Sequence, residues 1–547
     1  MLFLTLLLVF LLPCGVLAES VNLAHTKPYV ININSESSYA DYKASELTDG
    51  KRGLNSIFNA AWQGHSKKEY RIVVVDLGAT YQIDRVDIGF LQDESSNVWI
   101  PGSLTLAVSN DAQAWQVVTE TNYSTETLTR ENQIAIRSID GNKAAGRYVA
   151  IYFKVSFWVF LDEVEIFGHP VALANKTSKS TLEDIDFNAL YHELINHFNV
   201  AYYEVAEGDL MRVSEETGGA HDILLVYDQA SGVIWNEMYA YPYVAYLDEN
   251  LKAQDWFFDT FLFLALSAPS GRNFEAYSIA DKYDWYWWLE RVFSTGGGFD
   301  AFNRAVKRAG EELGDTEYKA KVIVMIPYPA EVPNRPFDDK KPGFLNPQIV
   351  GTEEAVKNRL QVVKDYIEEV LSRFDEKDYD RLELIGFYWL AENLDRDSLD
   401  RLYLPGIGDF LRKQDLRFYW IPWYLAPGYS EWRELGFDAV MMQPNYMFAE
   451  VPNKSRFIFS AAEAKKYQIG LEFEADPKIL RSAEERELYY DYFRAANTLG
   501  YGNDILRGYY QDVVLYYQAA HSKDPEIRRI YDSTYDFIKG LYTEKFE

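Results

Sequence analysis

The chain has 547 residues, which is long enough for two or three domains, and 48% of them are hydrophobic, which is ample for sizeable cores. Its formal net charge of −29 argues against nucleic acid and anionic membranes as partners, because proteins bind those surfaces through basic patches that release counterions. The only cysteine is Cys14, so we expect no disulfide beyond the N-terminal segment. A eukaryotic secreted protein of this size would usually carry some, and this favours bacterial export.

Aromatic residues make up 16% of the chain, including 13 Trp and 41 Tyr. Large aromatic cores account for part of this content. Proteins that hold sugars are also rich in Tyr and Trp, because the flat C–H faces of sugar rings stack on aromatic side chains. The composition therefore favours a carbohydrate partner.

The first 18 residues form a run of Leu, Val and Phe that ends in Val16-Leu17-Ala18. This pattern is typical of a signal peptide with a small-residue cleavage site, and the apolar run is too short to span a membrane comfortably. The remaining sequence contains no other candidate membrane span. We therefore expect a protein that is secreted, either extracellular or periplasmic.

Residues 19–170 contain short apolar runs that alternate with polar residues and are separated by turn residues. This spacing predicts an antiparallel, all-β sandwich of the jelly-roll kind. The clearest runs are Arg71–Leu77, Ile83–Phe90, Leu104–Ser109 and Tyr148–Phe153.

The motifs of this segment resemble those of the discoidin, or coagulation factor 5/8 C-type, module, which many carbohydrate-binding modules share. They are Asn22-Leu23-Ala24, Leu47-Thr48-Asp49-Gly50, Val75-Asp76-Leu77-Gly78, Ser109-Asn110-Asp111 with Trp115, Arg147-Tyr148-Val149, and Asp162-Glu163-Val164-Glu165-Ile166-Phe167-Gly168. The resemblance implies a sugar-binding loop edge, for which Trp62, Trp99 and Trp158 are the candidate ligand residues, although each could equally be part of the core. It also implies a structural calcium ion near Asp49 and Glu163; two carboxylates alone are equally compatible with solvated turn residues.

Residues 171–220 are predicted to be a polar linker followed by a connecting helix at Leu182–Phe198. From residue 221 to residue 547, strands alternate with amphipathic helices, which predicts a (β/α)₈ TIM barrel. An open doubly wound sheet is the alternative, but the segment has no phosphate-binding Gly-x-Gly turn. The predicted strands are Asp222–Tyr227, Phe257–Leu266, Lys321–Ile326, Leu382–Leu390, Arg417–Ile421, Ala439–Gln443, Gly470–Glu474 and Gly508–Gln511.

Two glutamates stand on one face of the seventh predicted strand. Side chains alternate along a strand, so Glu472 and Glu474 point to the side opposite Leu471 and Phe473. If the apolar side packs under helices, both carboxylates face the barrel interior, where burial is costly without pairing. Glu392, at the end of the fourth predicted strand, has the same inward parity. A rim salt bridge is the alternative explanation for Glu392.

Catalytic residues of such barrels lie at the carboxyl ends of the strands. In this chain those ends carry carboxylates, amides and aromatic rings, which suit a cleft that binds and cleaves sugars. Besides Glu472, the candidate substrate-binding residues are Tyr227, Asp228, Tyr328, Trp389, Trp423, Gln443, Asn445, Tyr446 and Asp512.

This arrangement resembles the large superfamily of retaining (β/α)₈-barrel glycoside hydrolases. The resemblance implies that Glu392 is the general acid/base and Glu474 the nucleophile, with an exchange of Glu472 and Glu474 as an alternative. One departure is that the superfamily usually places Asn directly before its acid/base, whereas this chain has Ala391 there and Asn393 after it.

The wider C-terminal half resembles an uncharacterised bacterial family that is described as a domain of unknown function. The motifs are His221-Asp222-Ile223-Leu224-Leu225-Val226-Tyr227, Lys321-Val322-Ile323-Val324-Met325-Ile326-Pro327-Tyr328-Pro329, Gly386-Phe387-Tyr388-Trp389 with Glu392, Trp420-Ile421-Pro422 and Gln443-Pro444-Asn445-Tyr446.

Together these patterns lead to the hypothesis of a secreted glycoside hydrolase that uses two glutamates in a retaining double displacement. No HExxH or CxxC motif is present, so we expect no metal or other cofactor in catalysis. One alternative is a non-catalytic glycan-binding protein with a degenerate barrel. Another is an inverting glycosidase in which Asp512 or Asp228 acts as the base.

Overall fold

The structure is a computed structural model that describes residues 20–546, with gaps at 42–44, 67–68, 94–95, 97, 124–131, 156–157, 172–178, 196–202, 205, 230–231, 276–278, 331–335, 339–343, 395–397, 425, 450–451 and 453. The predicted signal peptide therefore lies outside the described residues. The chain divides into two compact units, Met1–His197 and Phe198–Glu547. Among the described residues, no helix is long and apolar enough to cross a membrane.

The first unit is an all-β sandwich, which confirms the predicted fold class for this segment. Its strands are β1 Val21–Asn22, β2 Tyr29–Ile31, β3 Gln63–Ser66, β4 Glu69–Gln92, β5 Ser103–Ser109, β6 Gln116–Asn122, β7 Gln133–Asp140, β8 Ala145–Val155 and β9 Trp158–Pro170. They pair antiparallel in the order β1-β9-β4-β8-β5-β6, with β2 and β7 also on β4 and β3 on β9.

Strand β4 links the two halves of the sandwich. It is 24 residues long; its first part pairs with β8 and its second part with β7 and β9. The register shifts between Asp76 and Tyr81, where Gly78 has a φ of 81°, a conformation that glycine adopts without steric cost. Alternate residues such as Val73, Val75, Val86 and Ile88 are buried between the layers.

A short helix, α1 (Phe187–Ile195), follows the sandwich and packs on it. The ring of Tyr191 stacks on Tyr70 with 3.9 Å between centroids and an interplanar angle of 10°. The hydroxyl of Tyr148 also donates a hydrogen bond to the carbonyl of Ser180. The segment predicted as a linker thus includes residues that belong to the first compact unit.

The second unit is a closed barrel of eight parallel strands, which confirms the predicted TIM barrel and excludes an open sheet. The strands read as nearly continuous apolar runs because both of their faces are covered. They are β10 Asp222–Tyr227, β13 Thr260–Leu264, β14 Ala320–Ile326, β15 Leu382–Trp389, β16 Arg417–Trp420, β17 Ala439–Met442, β18 Gly470–Glu474 and β19 Arg507–Tyr510; a hairpin of β11 Ala245–Leu247 and β12 Ala253–Trp256 lies between the first two.

Amphipathic helices cover the outside of the barrel. The helix Gly298–Leu313 is typical, since Phe299, Phe302 and Val306 recur at helical spacing and are fully buried. The helices of this unit are α2 Glu237–Val244, α3 Lys282–Val292, α4 Gly298–Leu313, α5 Pro347–Val350, α6 Thr352–Lys377, α7 Asp400–Arg412, α8 Ser455–Tyr467, α9 Ala483–Leu499, α10 Leu515–Ala520 and α11 Pro525–Ile538.

A buried ion pair joins the first and last barrel strands at their amino ends. Arg507 Nε lies 2.7 Å from Oδ1 of Asp222, and both side chains are almost completely buried. The hydroxyl of Tyr509 donates a further hydrogen bond of 2.8 Å to Asp222. The charge of Arg507 and its hydrogen bonds offset the burial of the carboxylate, so the pKa of Asp222 is lowered.

Candidate active site at the carboxyl end of the barrel

A cavity of about 230 Å³ opens at the carboxyl end of the barrel strands. Inward-facing residues two positions apart contribute to it from the same strand or strand end, as strand alternation requires. It is lined by Leu225, Tyr227, Leu264, Leu266, Tyr388, Leu390, Glu392, Ile421, Gln443, Asn445, Phe448, Glu472, Glu474 and Tyr510.

Glu474 ends the seventh strand of the barrel and is 1% exposed. Its Oε2 accepts a hydrogen bond of 2.6 Å from the hydroxyl of Tyr492 on helix α9, and the carboxylate also accepts one from the backbone amide of Asn445. Burial raises the pKa of Glu474, whereas these hydrogen bonds and the positive charge of Arg456 oppose the rise. The surroundings of Glu474 therefore favour its ionised form over that of Glu472.

Glu472 lies one step deeper on the same face of this strand and is 3% exposed. Its Oε1 is buried and has no hydrogen-bond partner among the described residues. Burial and the neighbouring charges of Glu474 and Glu392 raise the pKa of Glu472 well above its usual range. Gly508 is its neighbour on the adjacent strand. Of the two glutamates, Glu472 is therefore the one whose surroundings favour the protonated form more strongly.

Glu392 lies three residues beyond the fourth strand and is open to solvent at the cavity mouth. Its Oε1 accepts a hydrogen bond of 3.0 Å from Gln443 Nε2, which also donates to the carbonyl of Ile421. Partial desolvation by the cavity walls raises the pKa of Glu392. The hydrogen bond from Gln443 opposes this rise, and the charge of Glu275 adds to it. The glutamate at the mouth is therefore protonated more readily than a free glutamate.

Three tyrosines line the cavity near these carboxyl groups. The rings of Tyr227 and Tyr510 meet edge to face with 5.7 Å between centroids, and Phe448 packs on Tyr510 at 5.6 Å. Burial raises the pKa values of Tyr227 and Tyr388, and the negative charges of Glu472 and Glu392 raise both further. Burial also raises the pKa of Tyr510, so all three phenols stay neutral and can donate hydrogen bonds to a ligand.

Some of the predicted site residues share this cavity. Those that line it are Glu392, Glu474, Glu472, Tyr227, Gln443 and Asn445. Trp423 lies at the mouth; it is 40% exposed, and its backbone amide donates to the carbonyl of Glu392. Asp512 has a φ of 58° and follows the last strand, but it does not line the cavity.

The other predicted residues are directed into the protein instead. Asp228 forms an ion pair of 2.5 Å with Arg291 of helix α3, and its Oδ2 has no hydrogen-bond partner among the described residues. Trp389 is fully buried and packs on Tyr403 and on Tyr328. Two hydroxyls are engaged outside the cavity: that of Tyr328 donates to Asp400, and that of Tyr446 to Asp491.

Sequence reasoning did not select Tyr388, Tyr510, Phe448 and Tyr492 as site residues. The first two could have been found by strand alternation, since each faces inward next to a predicted member of the site. Phe448 follows the sixth strand in a loop, and Tyr492 reaches Glu474 from a helix. No periodic signal in the sequence identifies these last two.

The first unit has a groove of its own, of about 520 Å³, which aromatic residues help to form. Phe58 lines the groove and is 86% exposed, while Trp62 lies beneath, 2% exposed, with its Nε1 donating to the carbonyl of Leu54. Trp158 packs edge to face against Tyr39, also of the groove, at 5.7 Å. Trp99 is half-buried, and its backbone amide donates to the carbonyl of Trp158.

The carboxylates predicted to bind calcium are close enough to interact. Glu163 Oε1 accepts the backbone amide of Gly50, whereas its buried Oε2 has no hydrogen-bond partner among the described residues. Burial raises the pKa of Glu163 to about 7, and the charge of Asp49 adds to the rise. Asp49 is paired with the exposed Lys51 at 2.7 Å. No group of three or more His, Cys, Asp or Glu side chains suited to a metal is found among the described residues, so carbonyl groups would have to complete such a site.

The sandwich and barrel correspond to two known families. Residues 222–536 match the family described as Domain of unknown function (DUF4855), and the chain belongs to that family. Residues 32–161 match the F5/8 type C domain, which confirms the discoidin resemblance of the first unit. No curated protein matches the chain.

Several solved structures are similar to part of the chain. Chitosan-binding module 1 derived from chitosanase/glucanase from Paenibacillus sp. IK-5 is 21% identical, with a TM-score of 0.19; the match covers 27% of this chain and 98% of the module. CpGH89CBM32-6 produced by Clostridium perfringens is 22% identical, with a TM-score of 0.19, and the coverage is again 27% and 98%. A fucolectin from striped bass (Morone saxatilis) serum is 17% identical, with a TM-score of 0.22 and coverage of 27% and 49%.

Proposed function

We propose that the chain is a secreted glycoside hydrolase that cleaves poly- or oligosaccharides by a retaining double displacement, without a catalytic cofactor. The observation that carries the proposal is the placement of Glu392 and Glu474. They follow the fourth strand and end the seventh strand of one barrel, line the same cavity, and have different hydrogen-bond partners. Glycoside hydrolysis needs such a pair, one carboxyl protonated and the other ionised.

In the first step, Glu392 gives its proton to the glycosidic oxygen while the carboxylate of Glu474 attacks the anomeric carbon. The C–O bond to the leaving sugar breaks, and that sugar departs as an alcohol. In the second step, Glu392 takes a proton from water, whose oxygen attacks the anomeric carbon and releases Glu474 as a carboxylate. Tyr492 and the Asn445 amide support this assignment because they stabilise Glu474 as an anion.

In the inverting alternative, Asp228 or Asp512 would be the base that activates water. Of the two aspartates considered for this purpose, Asp228 is held by Arg291 and Asp512 does not line the cavity. Their positions favour Glu474 as the second catalytic group. Gln443, Asn445 and the tyrosines would then hold the sugar hydroxyls.

The first unit would bind glycans and hold the substrate near the enzyme. Its groove presents the exposed ring of Phe58 beside the partly buried Tyr39, with Trp62 covered beneath them, and exposed aromatic rings of this kind stack on sugar faces. We also infer a structural calcium ion that Asp49 and Glu163 would hold together with carbonyl groups. The free, buried Oε2 of Glu163 fits this because calcium prefers carboxylate oxygens.

The test is hydrolysis of a panel of polysaccharides by the wild-type protein and by Glu392→Gln and Glu474→Gln. We expect each substitution to lower kcat by about 10²–10⁴-fold or more while the circular dichroism spectrum is retained. Glu463→Gln is a matched control, since Glu463 is also buried and also accepts a hydroxyl hydrogen bond, from Tyr429, but lies on helix α8.

The activities of the two cavity variants and the products of the wild-type protein distinguish the alternatives. Wild-type-like activity in either cavity variant would overturn the assignment of that residue. Binding of a glycan without cleavage would identify the protein as a non-catalytic glycan-binding protein. The anomeric configuration of the first product, measured by NMR, distinguishes a retaining from an inverting enzyme.

A further inference from the structure

The described part of the cavity wall carries acidic side chains without basic ones. Three glutamates line it, Glu392, Glu472 and Glu474, and a fourth, Glu275, is close enough to raise the pKa of Glu392. No lysine, arginine or histidine is among the described residues that line it. Arg456 acts on Glu474 through its charge, but its guanidinium donates to the carbonyls of Pro444 and Asn445 rather than to a carboxylate. The carboxyl groups of the cavity therefore have no basic side chain as a partner among the described residues that line it.

Of the three glutamates that line the cavity, Glu472 is the one with a buried oxygen that has no hydrogen-bond partner among the described residues. It is 3% exposed, lines the cavity, and its Oε1 accepts no hydrogen bond from any described residue. Leaving a buried acceptor unsatisfied costs about 1–3 kcal/mol, and more for a charged group. The phenols of Tyr227, Tyr388 and Tyr510 line the same space and tolerate a cation well, because aromatic faces attract positive charge.

The size of the cavity limits what can fill it. A volume of about 230 Å³ corresponds to roughly eight water molecules, at about 30 Å³ each. That is room for one sugar ring. Apolar side chains such as Leu225, Leu264 and Ile421 surround part of the space, so a ring with one charged substituent fits better than a fully charged ligand.

We infer that the ring bound in this cavity is an amino sugar with a free, protonated amine, and that Glu472 is its counter-ion. This inference rests on the proposed function for the position of the site, and it adds the substrate class. When the ammonium group enters, Glu472 gives up its proton to the solvent and becomes a carboxylate that accepts a hydrogen bond from the amine. The ligand keeps its positive charge, so one proton is released for each ligand bound. The same charges would repel sugars that carry carboxylates or sulfates.

The experiment is isothermal titration calorimetry of the full chain with three matched pairs: glucosamine and glucose, galactosamine and galactose, mannosamine and mannose. Running each titration at pH 7 in two buffers of different ionisation enthalpy counts the protons released. At least one amino sugar should bind 10-fold or more tightly than its neutral twin, with release of up to one proton. Glu472→Gln should bring the two affinities to within about twofold and abolish the proton release. The control Glu463→Gln should leave both unchanged.

Equal affinity for each amino sugar and the corresponding neutral sugar would overturn the inference. A preference for amino sugars that is retained in Glu472→Gln would also overturn it. Absence of binding by all three amino sugars at millimolar concentration would also overturn it. These results are distinguishable from a failure of the proposed hydrolase. If the protein cleaves a neutral glycan and shows no preference for amines, the amino-sugar inference is wrong but the proposed hydrolase function is supported. If it binds amino sugars through Glu472 but cleaves no glycan, the amino-sugar inference is supported and the proposed hydrolase function is wrong.

Discussion

The hydroxyl of Tyr492, on helix α9, donates a hydrogen bond of 2.6 Å to Oε2 of Glu474 at the end of the seventh barrel strand. Both side chains are buried, and a hydrogen bond to a buried carboxylate favours its ionised form. Glu472, two residues earlier on the same strand, has an Oε1 without such a donor. One helix residue thus distinguishes two glutamates that the strand itself places in equivalent orientations.

Replacement of Tyr492 by Phe should change the acidic limb of the pH–rate profile. Loss of the hydrogen bond raises the pKa of Glu474, so a higher pH is needed to ionise the nucleophile. A hydrogen bond of about 1–1.5 kcal/mol corresponds to a shift of about one pH unit in that limb. The measurement is kcat/KM against pH. Tyr429→Phe, which removes a hydroxyl from Glu463 instead, should leave the profile unchanged. An acidic limb that does not move in Tyr492→Phe would argue against Glu474 as the nucleophile.

Replacement of Gln443 by Leu should affect the opposite limb. Gln443 donates to Glu392 and so favours its anion; without this donor the pKa of Glu392 rises further. Because the general acid must be protonated, activity then persists to higher pH, and the basic limb of the kcat/KM profile moves to higher pH. Glu392 is open to solvent, which limits the shift. If the acidic limb moves instead, Glu392 is the nucleophile and Glu474 is the general acid, the reverse of the proposed assignment.

Strand alternation explains how much of the site the sequence could predict. Counting apolar runs places Glu472 and Glu474 on the seventh strand and directs them inward, as the structure has them. The same alternation excludes Asp228 from the cavity. Since Tyr227 faces the cavity, the next residue faces the outer helices, where it forms an ion pair with Arg291. Likewise Tyr388 lines the cavity and Trp389 packs outward.

Contacts between distant segments lie beyond this kind of reasoning. Tyr492 reaches Glu474 from a helix that follows the strand, and its position depends on how that helix packs on the barrel. In the sandwich, residue type alone favoured Trp62 as a ligand platform, yet Phe58 is the exposed ring and Trp62 is covered. The fold class follows from local periodicity, whereas partners of this kind are set by tertiary packing.

The buried carboxyl of Glu472 should make the stability of the second unit depend on pH. Its pKa in the folded state lies above the value of about 4.3 in an unfolded chain. Its contribution to stability is therefore fully present below about pH 4.3 and is lost as pH rises through the folded pKa. Glu472→Gln replaces the carboxyl with an amide that does not ionise, so the variant does not lose this stability as pH rises. Differential scanning calorimetry should show that the Tm difference, variant minus wild type, is more positive at pH 8 than at pH 4. A difference that is constant across pH would contradict a protonated Glu472.

Calcium should stabilise the first unit if Asp49 and Glu163 hold the ion. A ligand at 100 times its Kd adds about 2.7 kcal/mol, which for a unit of this size raises Tm by about 5–10 °C. The measurement is calorimetry of the full chain with calcium and with EGTA. Glu163→Gln should abolish the difference, whereas Glu165→Gln, which affects a neighbouring residue paired with Arg52, should retain it. No effect of EGTA on the wild-type protein would exclude the site.

The ion pair between Asp222 and Arg507 should matter for stability and not for catalysis. It closes the barrel at the amino ends of its strands, and both side chains are buried, so Asp222→Asn leaves the Arg507 guanidinium buried without its counter-ion. Removing one partner of a buried pair costs about 3–5 kcal/mol. Asp415→Asn is the control, because its pair with Arg417 lies at the surface and contributes at most about 1 kcal/mol. Urea unfolding measures both free energies, and kcat of Asp222→Asn at low temperature should equal that of the wild type. A loss of kcat in the folded variant would mean that the pair acts on the distant cavity.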